Sequence, residues 1–183
     1  MESKALAEKS MLNWYNLTLE NLKNDPSLKE AHTTFAAVYL SNTKMVSLHI
    51  GDTRIYRLSQ GNILKTEDHS VPQVLFDEGI INENEIATHK YQNLLTKSIN
   101  FNEEHTPTII QQAPLEHSES LVLCSDGFWV LTTEAELRQM EGVTPDEKIL
   151  RKQIKTILKR SKRQSDNITV QWICNMNPIN NSV

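Results

Sequence analysis

Three aspartates stand next to segments with the apolar character of buried strands, and carboxylates in such positions can hold a metal ion. Each is joined to glycine or asparagine, residues that turns favour. The three pairs are Gly51-Asp52 in HIGDTRIY, Asp126-Gly127 in LVLCSDGFWVL, and Asp166-Asn167 in SDNITV. Turn chemistry alone explains any one of these pairs, but the three together favour a shared site.

The surroundings of Asp126 make the strongest case. It lies between the apolar runs 121–124 and 128–131, so we expect its carboxylate to be partly removed from water and to need a partner. No Lys or Arg occurs within six residues of it. Carboxylates gathered without cations repel one another, and some take up protons. Hard divalent cations such as Mg2+ or Mn2+ remove this difficulty, since they prefer oxygen ligands and retain several waters.

The first half of the chain predicts one helix followed by strands. Apolar residues at 12, 15, 19 and 22 fall on one helical face, which predicts a helix over residues 4–23, ended by Asn24-Asp25-Pro26. Strand patterns then follow at short spacing, and we expect them to form one meandering antiparallel sheet. These strands cover residues 35–40, 45–50, 53–58 and 63–66.

The second half of the chain mixes helices with strands. Thr133 and Glu136 form a capping-box pattern for one helix, and Thr144 before Pro145 predicts the start of another that runs to about Arg160. Short helices are expected over 71–78 and 83–89, and strands over 108–112, 121–124 and 167–174. We therefore predict a single domain over residues 1–174, followed by a polar tail, residues 175–183.

Composition excludes several classes of function. The chain has 183 residues, 23% of them charged, and its net charge of −4 gives no basic footprint for nucleic acid. No apolar run approaches the ~18–20 residues of a membrane span, and residues 1–10 lack the apolar core of a signal peptide. Cys124 and Cys174 are too few for a disulfide scaffold, and the six histidines show no zinc-type spacing. We expect a soluble cytoplasmic protein that binds neither nucleic acid nor membrane.

An ordered set of motifs resembles the bacterial form of the protein phosphatase 2C family, the metal-dependent serine/threonine phosphatases. The stretch GDTRIYRLSQGNILKTEDHS is similar to the family's Gly-Asp-Ser-Arg hairpin and the Thr-x-Asp-His-Ser segment after it. LVLCSDGFW resembles its Ser-Asp-Gly motif, SDNITV its terminal motif, and LFDEGIINENEIATHKYQNLLTKSIN the flap between them. The likeness covers about residues 31–174.

The resemblance implies a fold, a cofactor and roles for particular residues. The fold is α+β, a two-layer antiparallel β-sandwich flanked by helices (αββα), and the cofactor is Mn2+ or Mg2+. Asp126 and Asp166 would ligate the second of two metal ions, with Asp52 at a third and weaker site. The supporting residues would be Gly127, which permits the turn that aims Asp126, Asn167, which braces Asp166, and Gly51 beside Asp52. His69 opens the flap, as a structural or a substrate-adjacent residue.

The family's first half-site has no counterpart in this sequence, so we expect a domain truncated at its N-terminus. Members carry an Arg for the phosphate and an Asp-Gly-Met-Gly-Gly turn that supplies a bridging carboxylate, whereas this chain starts in what resembles the following helix. A fragment, a natural short form and a partner that supplies the strands all remain open. We expect an impaired phosphatase for phosphoserine and phosphothreonine proteins or, alternatively, a non-catalytic phosphatase-like module that binds or regulates a partner protein. Strand edges left exposed would favour self-association.

Overall fold

The described residues, 2–161 and 166–175 of a computed structural model, form five α-helices and nine β-strands. The helices are α1 Glu2–Lys23, α2 Val71–Asp77, α3 Asp126–Trp129, α4 Glu134–Arg138 and α5 Glu147–Arg160. The strands are β1 His32–Thr33, β2 Phe35–Leu40, β3 Met45–Ile50, β4 Arg54–Ser59, β5 Asn62–Lys65, β6 Ile99–Asn100, β7 Thr108–Gln112, β8 Ser120–Cys124 and β9 Val170–Cys174. Short 3-10 helices cover Pro26–Leu28 and Glu83–Thr88.

The chain divides into two compact units, each made of two separate stretches. Unit 1 contains residues 1–54 and 66–114, and unit 2 contains residues 55–65 and 115–183. That residues 1–174 act as one domain stays a prediction. The predicted tail lies outside the described residues except for Asn175, whose backbone N–H donates to the carbonyl of Glu119 at 3.1 Å.

Unit 1 is built on a three-stranded sheet in the order β2-β3-β7, with β1 and β6 paired separately. All of these pairings are antiparallel. Every residue of the central strand β3 is buried. Helix α1 covers this core because its buried residues recur at helical spacing on one face. The two clusters that it forms are Ala7, Met11, Val46 and Leu48, and Tyr15, Leu22, Ile50 and Ile99.

Unit 2 is built on a four-stranded sheet in the order β5-β4-β8-β9. Strand β8 is buried along its whole length, and β9 pairs antiparallel to it with Cys124 opposite Val170. The indole N–H of Trp172 on β9 donates to the carbonyl of Met140 at 3.0 Å, which ties the sheet to the segment after α4. The predicted capping box is present, since Thr133 and Glu136 bond each other's backbone N–H groups.

Three predictions about elements are wrong. The four strands do not form one meander, because β2 and β3 belong to the sheet of unit 1 while β4 and β5 belong to that of unit 2. The break falls after Gly51, whose φ of +95° takes the chain out of β3. The long helix begins at Glu147 with Asp146 as its cap, because the Asp146 carboxylate accepts the N–H groups of the first turn at 2.6 and 3.3 Å. Strand β9 also begins later than predicted, at Val170.

Among the helices of the described residues, none combines the length and apolar character needed to cross a bilayer. Cys124 lies buried on β8 and Cys174 half-buried on β9, and neither forms a disulfide within the described residues.

Candidate functional site

Ser125 fastens the turn after β8 to the segment before β9. Its backbone N–H donates to the carbonyl of Thr169 at 3.0 Å, and its hydroxyl accepts the Thr169 N–H at 3.0 Å. The same hydroxyl donates to the carbonyl of Asn167 at 3.1 Å. These three bonds continue the pairing of the two strands beyond their ends. As a result, the turns that carry Asp126 and Asp166 are held against each other although they are 40 positions apart in sequence.

Gly127 allows the two turns to approach this closely. A Cβ at this position would lie 2.5 Å from the carbonyl oxygen of Asn167 and 2.9 Å from that of Asp166. The residue is in the first turn of α3 and is not among those with positive φ. Glycine is therefore required here by the neighbouring backbone, and the role of Gly127 in aiming Asp126 stays a prediction.

The two carboxylates are held in the same way. Asp126, half-buried at the start of α3, accepts the N–H of Gly127 at 2.8 Å through Oδ1. Asp166, which is exposed, accepts the N–H of Asn167 at 2.7 Å through Oδ1. Asn167 thus braces Asp166 through its backbone. These bonds restrict the rotation of both carboxylates and place two hard, anionic oxygen donors at one turn, a donor set that suits Mg2+ or Mn2+ completed by water.

Asp52 lies in unit 1, at a turn that His69 holds from both sides. The His69 N–H donates to the carbonyl of Gly51 at 2.9 Å, and the Gly51 N–H donates to Nδ1 of His69 at 3.1 Å. Gly51 adopts a left-handed conformation, and a Cβ there would lie 2.3 Å from Cγ2 of Thr34. Both the conformation and the packing therefore demand glycine before Asp52, and His69 positions the turn through hydrogen bonds.

The hydrogen bonds of His69 define its tautomer. Because Nδ1 accepts a hydrogen bond from the Gly51 N–H, the ring hydrogen is on Nε2, which donates to Oγ1 of Thr108 at 2.9 Å. The ring stacks on His49 with centroids 4.7 Å apart. Burial, followed by the charges of His49, Lys97 and His105, lowers the pKa of His69 to about 4. His69 is therefore neutral near pH 7, and both of its ring nitrogens are engaged by the protein.

His49 supports this arrangement from the interior of β3. Only 1% of it is exposed, and its Nε2 donates to the carbonyl of Glu67 at 2.9 Å. Nδ1 consequently carries no hydrogen, and it has no hydrogen-bond partner among the described residues. Burial lowers the pKa of His49 as well. The two stacked rings form a neutral layer beneath the turn of Asp52.

The segment that carries His69 is fixed by a buried ion pair. Arg54 donates to both carboxylate oxygens of Asp68, from Nε at 2.8 Å and from Nη2 at 2.7 Å. The side chains are 9% and 2% exposed. Such a two-point contact sets orientation as well as distance. Arg54 thus has a structural role in this chain.

The structure brings together some of the predicted site residues. Asp126, Gly127, Asp166 and Asn167 lie on two turns of unit 2 that Ser125 holds together, while Gly51, Asp52 and His69 meet at one turn of unit 1. Within either unit, the described residues provide no group of three or more His, Cys, Asp or Glu side chains placed to hold a metal ion. Sequence reasoning missed His49 and the clamping role of Ser125, because both depend on contacts between residues distant in sequence. It also missed Asp68, although this residue stands directly before His69 in TEDHS and could have been found from that position.

Comparison with known proteins identifies related sequences. The model of the family described as protein phosphatase 2C matches residues 1–165. A Streptococcus pyogenes protein, named as protein phosphatase 2C-type, is 32% identical over 163 residues, which cover 87% of this chain and 65% of that protein. The serine/threonine phosphatase stp of Listeria innocua is 28% identical over 153 residues, 81% of this chain and 58% of that protein. The chain thus spans about three fifths of the length of these relatives.

A solved structure supports the fold. The catalytic domain of serine threonine protein phosphatase PstP, determined in complex with two manganese ions, superposes with a TM-score of 0.68 at 24% identity, covering 83% of this chain and 62% of that one. This likeness concerns the fold. Together with the antiparallel pairings described above, it confirms the prediction of an α+β fold built on antiparallel sheets.

Proposed function

Since the chain belongs to the protein phosphatase 2C family, we propose that it takes part in the metal-dependent hydrolysis of phosphoserine and phosphothreonine in proteins. Asp126 and Asp166 are the proposed ligands of Mn2+ or Mg2+, and Asp52 the ligand of a further, weaker site. The observation that carries this proposal is the clamp of Ser125, which holds the turns of Asp126 and Asp166 together. Rigid support of this kind is what a metal site needs.

The metal would supply a water of lowered pKa and would neutralise charge on the phosphoryl oxygens. The chain's own contribution is to hold the two carboxylates in a fixed orientation. Asp126 lies between a buried strand and a short helix. One oxygen of each carboxylate accepts the backbone N–H of the following residue, Gly127 or Asn167. The choice of manganese for the experiments follows the metal found in PstP.

We propose further that these 183 residues, tested by themselves, bind the metal weakly and turn over substrate slowly. The turn offers two carboxylates, and the bridging carboxylate and phosphate-binding arginine that the family resemblance implies have no counterpart in this sequence. Removing one donor that stabilises a transition state costs ~10²–10³ in rate in other enzymes. Loss of a bridging metal ligand should cost at least as much.

Calorimetric titration with manganese tests the ligand assignment. We expect weak binding by the wild type that is lost in Asp126→Asn and in Asp166→Asn, because each removes half of the negative charge at the turn. Glu147→Gln, which neutralises an exposed acid on α5, serves as the control and should bind as the wild type does. Tight and equal binding by all four proteins would contradict the assignment.

Turnover of p-nitrophenyl phosphate with manganese tests the impairment. The chain should be nearly inactive alone and should gain activity when a segment bearing an Asp-Gly-Met-Gly-Gly turn and its strands is added. Robust turnover by the chain alone, abolished by Asp126→Asn, would show that another acid replaces the bridging ligand. Absence of both metal binding and rescue would favour the alternative, a phosphatase-like module that binds or regulates a partner protein.

A further inference from the structure

A cavity of about 320 Å³ lies in unit 1, lined mainly by the loop of residues 93–98 together with His32, Asn100 and His105. This volume is at the lower end of those that bind small ligands. The wall of the cavity is attached to His69, since the N–H of Thr96 donates to the His69 carbonyl at 2.9 Å. The cavity therefore adjoins the residue that holds the turn of Asp52.

The floor of the cavity is polar and rigid. Ser98 and Asn100, 4% and 2% exposed, lie there. The Ser98 hydroxyl is 3.0 Å from Nδ1 of His32 and accepts the side-chain amide of Asn100 at 3.3 Å. The Asn100 side-chain oxygen accepts two backbone N–H groups, at 3.0 and 2.7 Å. These polar groups satisfy one another's hydrogen bonds and carry no net charge. The charge of the cavity is therefore determined by its cationic side chain.

That cation is Lys97. It is half-buried in the cavity wall and has no hydrogen-bond or ion-pair partner in the part of the chain that the structure describes. The nearby acid Glu103 is paired instead with Nε2 of His105 at 3.0 Å. The ammonium also acts on the interior, since its charge helps to lower the pKa of His69. A partly desolvated cation that lacks a counter-ion attracts an anion to the cavity.

We propose that this cavity receives an acidic side chain of the substrate peptide, whose carboxylate pairs with Lys97. The proposal rests on the proposed function and adds a preference for substrate peptides that carry acidic residues. A single ammonium, with the carboxylate of Glu103 at the same cavity, suits a carboxylate better than a phosphate dianion. The polar groups of His32 and Thr96 at the wall provide further hydrogen-bonding partners for the incoming side chain.

The test is an NMR titration of the 15N-labelled chain, without metal and at low salt. Two capped hexapeptides are compared, one with glutamates and one with alanines beside a central serine. We expect the glutamate peptide to bind at least threefold more tightly and to shift the amide signals of residues 93–98. Lys97→Gln should weaken its binding by about twofold to fivefold, as for a partly exposed ion pair, and Lys97→Arg should retain it.

Lys29→Gln is the matched control, because it removes the same charge from an exposed position of unit 1. It should leave the preference for glutamate intact. Equal binding of both peptides by the wild type, or an equal loss in Lys29→Gln and Lys97→Gln, would overturn the proposal in favour of non-specific attraction. Because no metal is present, the outcome does not depend on whether Asp126 and Asp166 bind manganese.

Discussion

The substitution Gly127→Ala tests whether the close approach of two backbones holds the candidate site together. The added Cβ would meet the carbonyl oxygens of Asn167 at 2.5 Å and Asp166 at 2.9 Å. The nearer oxygen must move by about 0.9 Å to reach ordinary contact at 3.4 Å. Because that oxygen belongs to the backbone, the whole turn that carries Asp166 must move away from Asp126.

The expected cost follows from two opposing effects. Overpacking of this kind costs about 1–3 kcal/mol, and replacing glycine by alanine in a helix returns roughly 0.5–1 kcal/mol. We therefore expect a net loss of about 1–2 kcal/mol in the free energy of unfolding. Metal ligands tolerate displacements of only about 0.2 Å, so manganese affinity should fall at least tenfold.

Urea unfolding and calorimetric manganese titration measure the two effects separately. Gly79→Ala adds the same methyl group where it would meet no described atom within 4 Å. It should cost about 1 kcal/mol through its left-handed backbone and leave manganese affinity unchanged. Wild-type affinity and stability in Gly127→Ala would refute the reasoning, since the turns would then be able to separate without consequence.

Three further predictions concern His69, the Glu136–Arg160 pair and the sheet edges. His69→Asn, whose amide oxygen can still accept the Gly51 N–H, should lose about 1 kcal/mol in urea unfolding, whereas His69→Leu should lose about 2–3 kcal/mol by leaving a buried donor unsatisfied; equal losses would contradict the role given to Nδ1. The pKa of Glu136 is lowered to about 2, chiefly by its hydrogen bonds with Arg160, so this pair stabilises the fold above pH ~4.5 and the contribution disappears as the pH falls towards 2. Glu136→Gln should cost about 1–2 kcal/mol at pH 7, allowing for solvent screening at Arg160, and nothing at pH 2 by thermal melting, while the exposed Glu147→Gln should cost less than about 0.5 kcal/mol. Light scattering of the isolated chain should show self-association through the sheet edges; a monomer at all concentrations with a sharp melt would oppose this.

Individual strands could be predicted from the sequence, but their partners could not. The bounds of β2, β3 and β7 follow directly from apolar runs closed by polar turns. The assignment of the first four long strands to two sheets depends on Gly51, whose left-handed conformation and contact with Thr34 involve residues 17 positions apart. A local sequence pattern does not indicate such a contact. The prediction that these strands form one meandering sheet was therefore wrong.

The same limit applies to the candidate site. The aspartates themselves were evident, because an acid between apolar runs needs a partner wherever it lies. What holds them was not evident, because neither Ser125 nor His49 belongs to a local pattern that predicts its role. Their roles arise from pairings across 42 to 44 positions in one case and from a ring stack across 20 positions in the other.

Both turns follow one physical scheme, and it explains why an acid can follow a buried strand without destabilising it. At each turn, the strand supplies rigidity and a glycine lets a neighbouring segment approach closely. A polar residue then bonds the backbone across each turn: the Ser125 hydroxyl makes two such bonds in unit 2, and His69 in unit 1 makes one through Nδ1 and one through its own backbone N–H. The Asp126 carboxylate is itself held, because its Oδ1 accepts the N–H of Gly127 at 2.8 Å. A carboxylate fixed in this way keeps the direction in which it presents its charge, and a cation site requires such support.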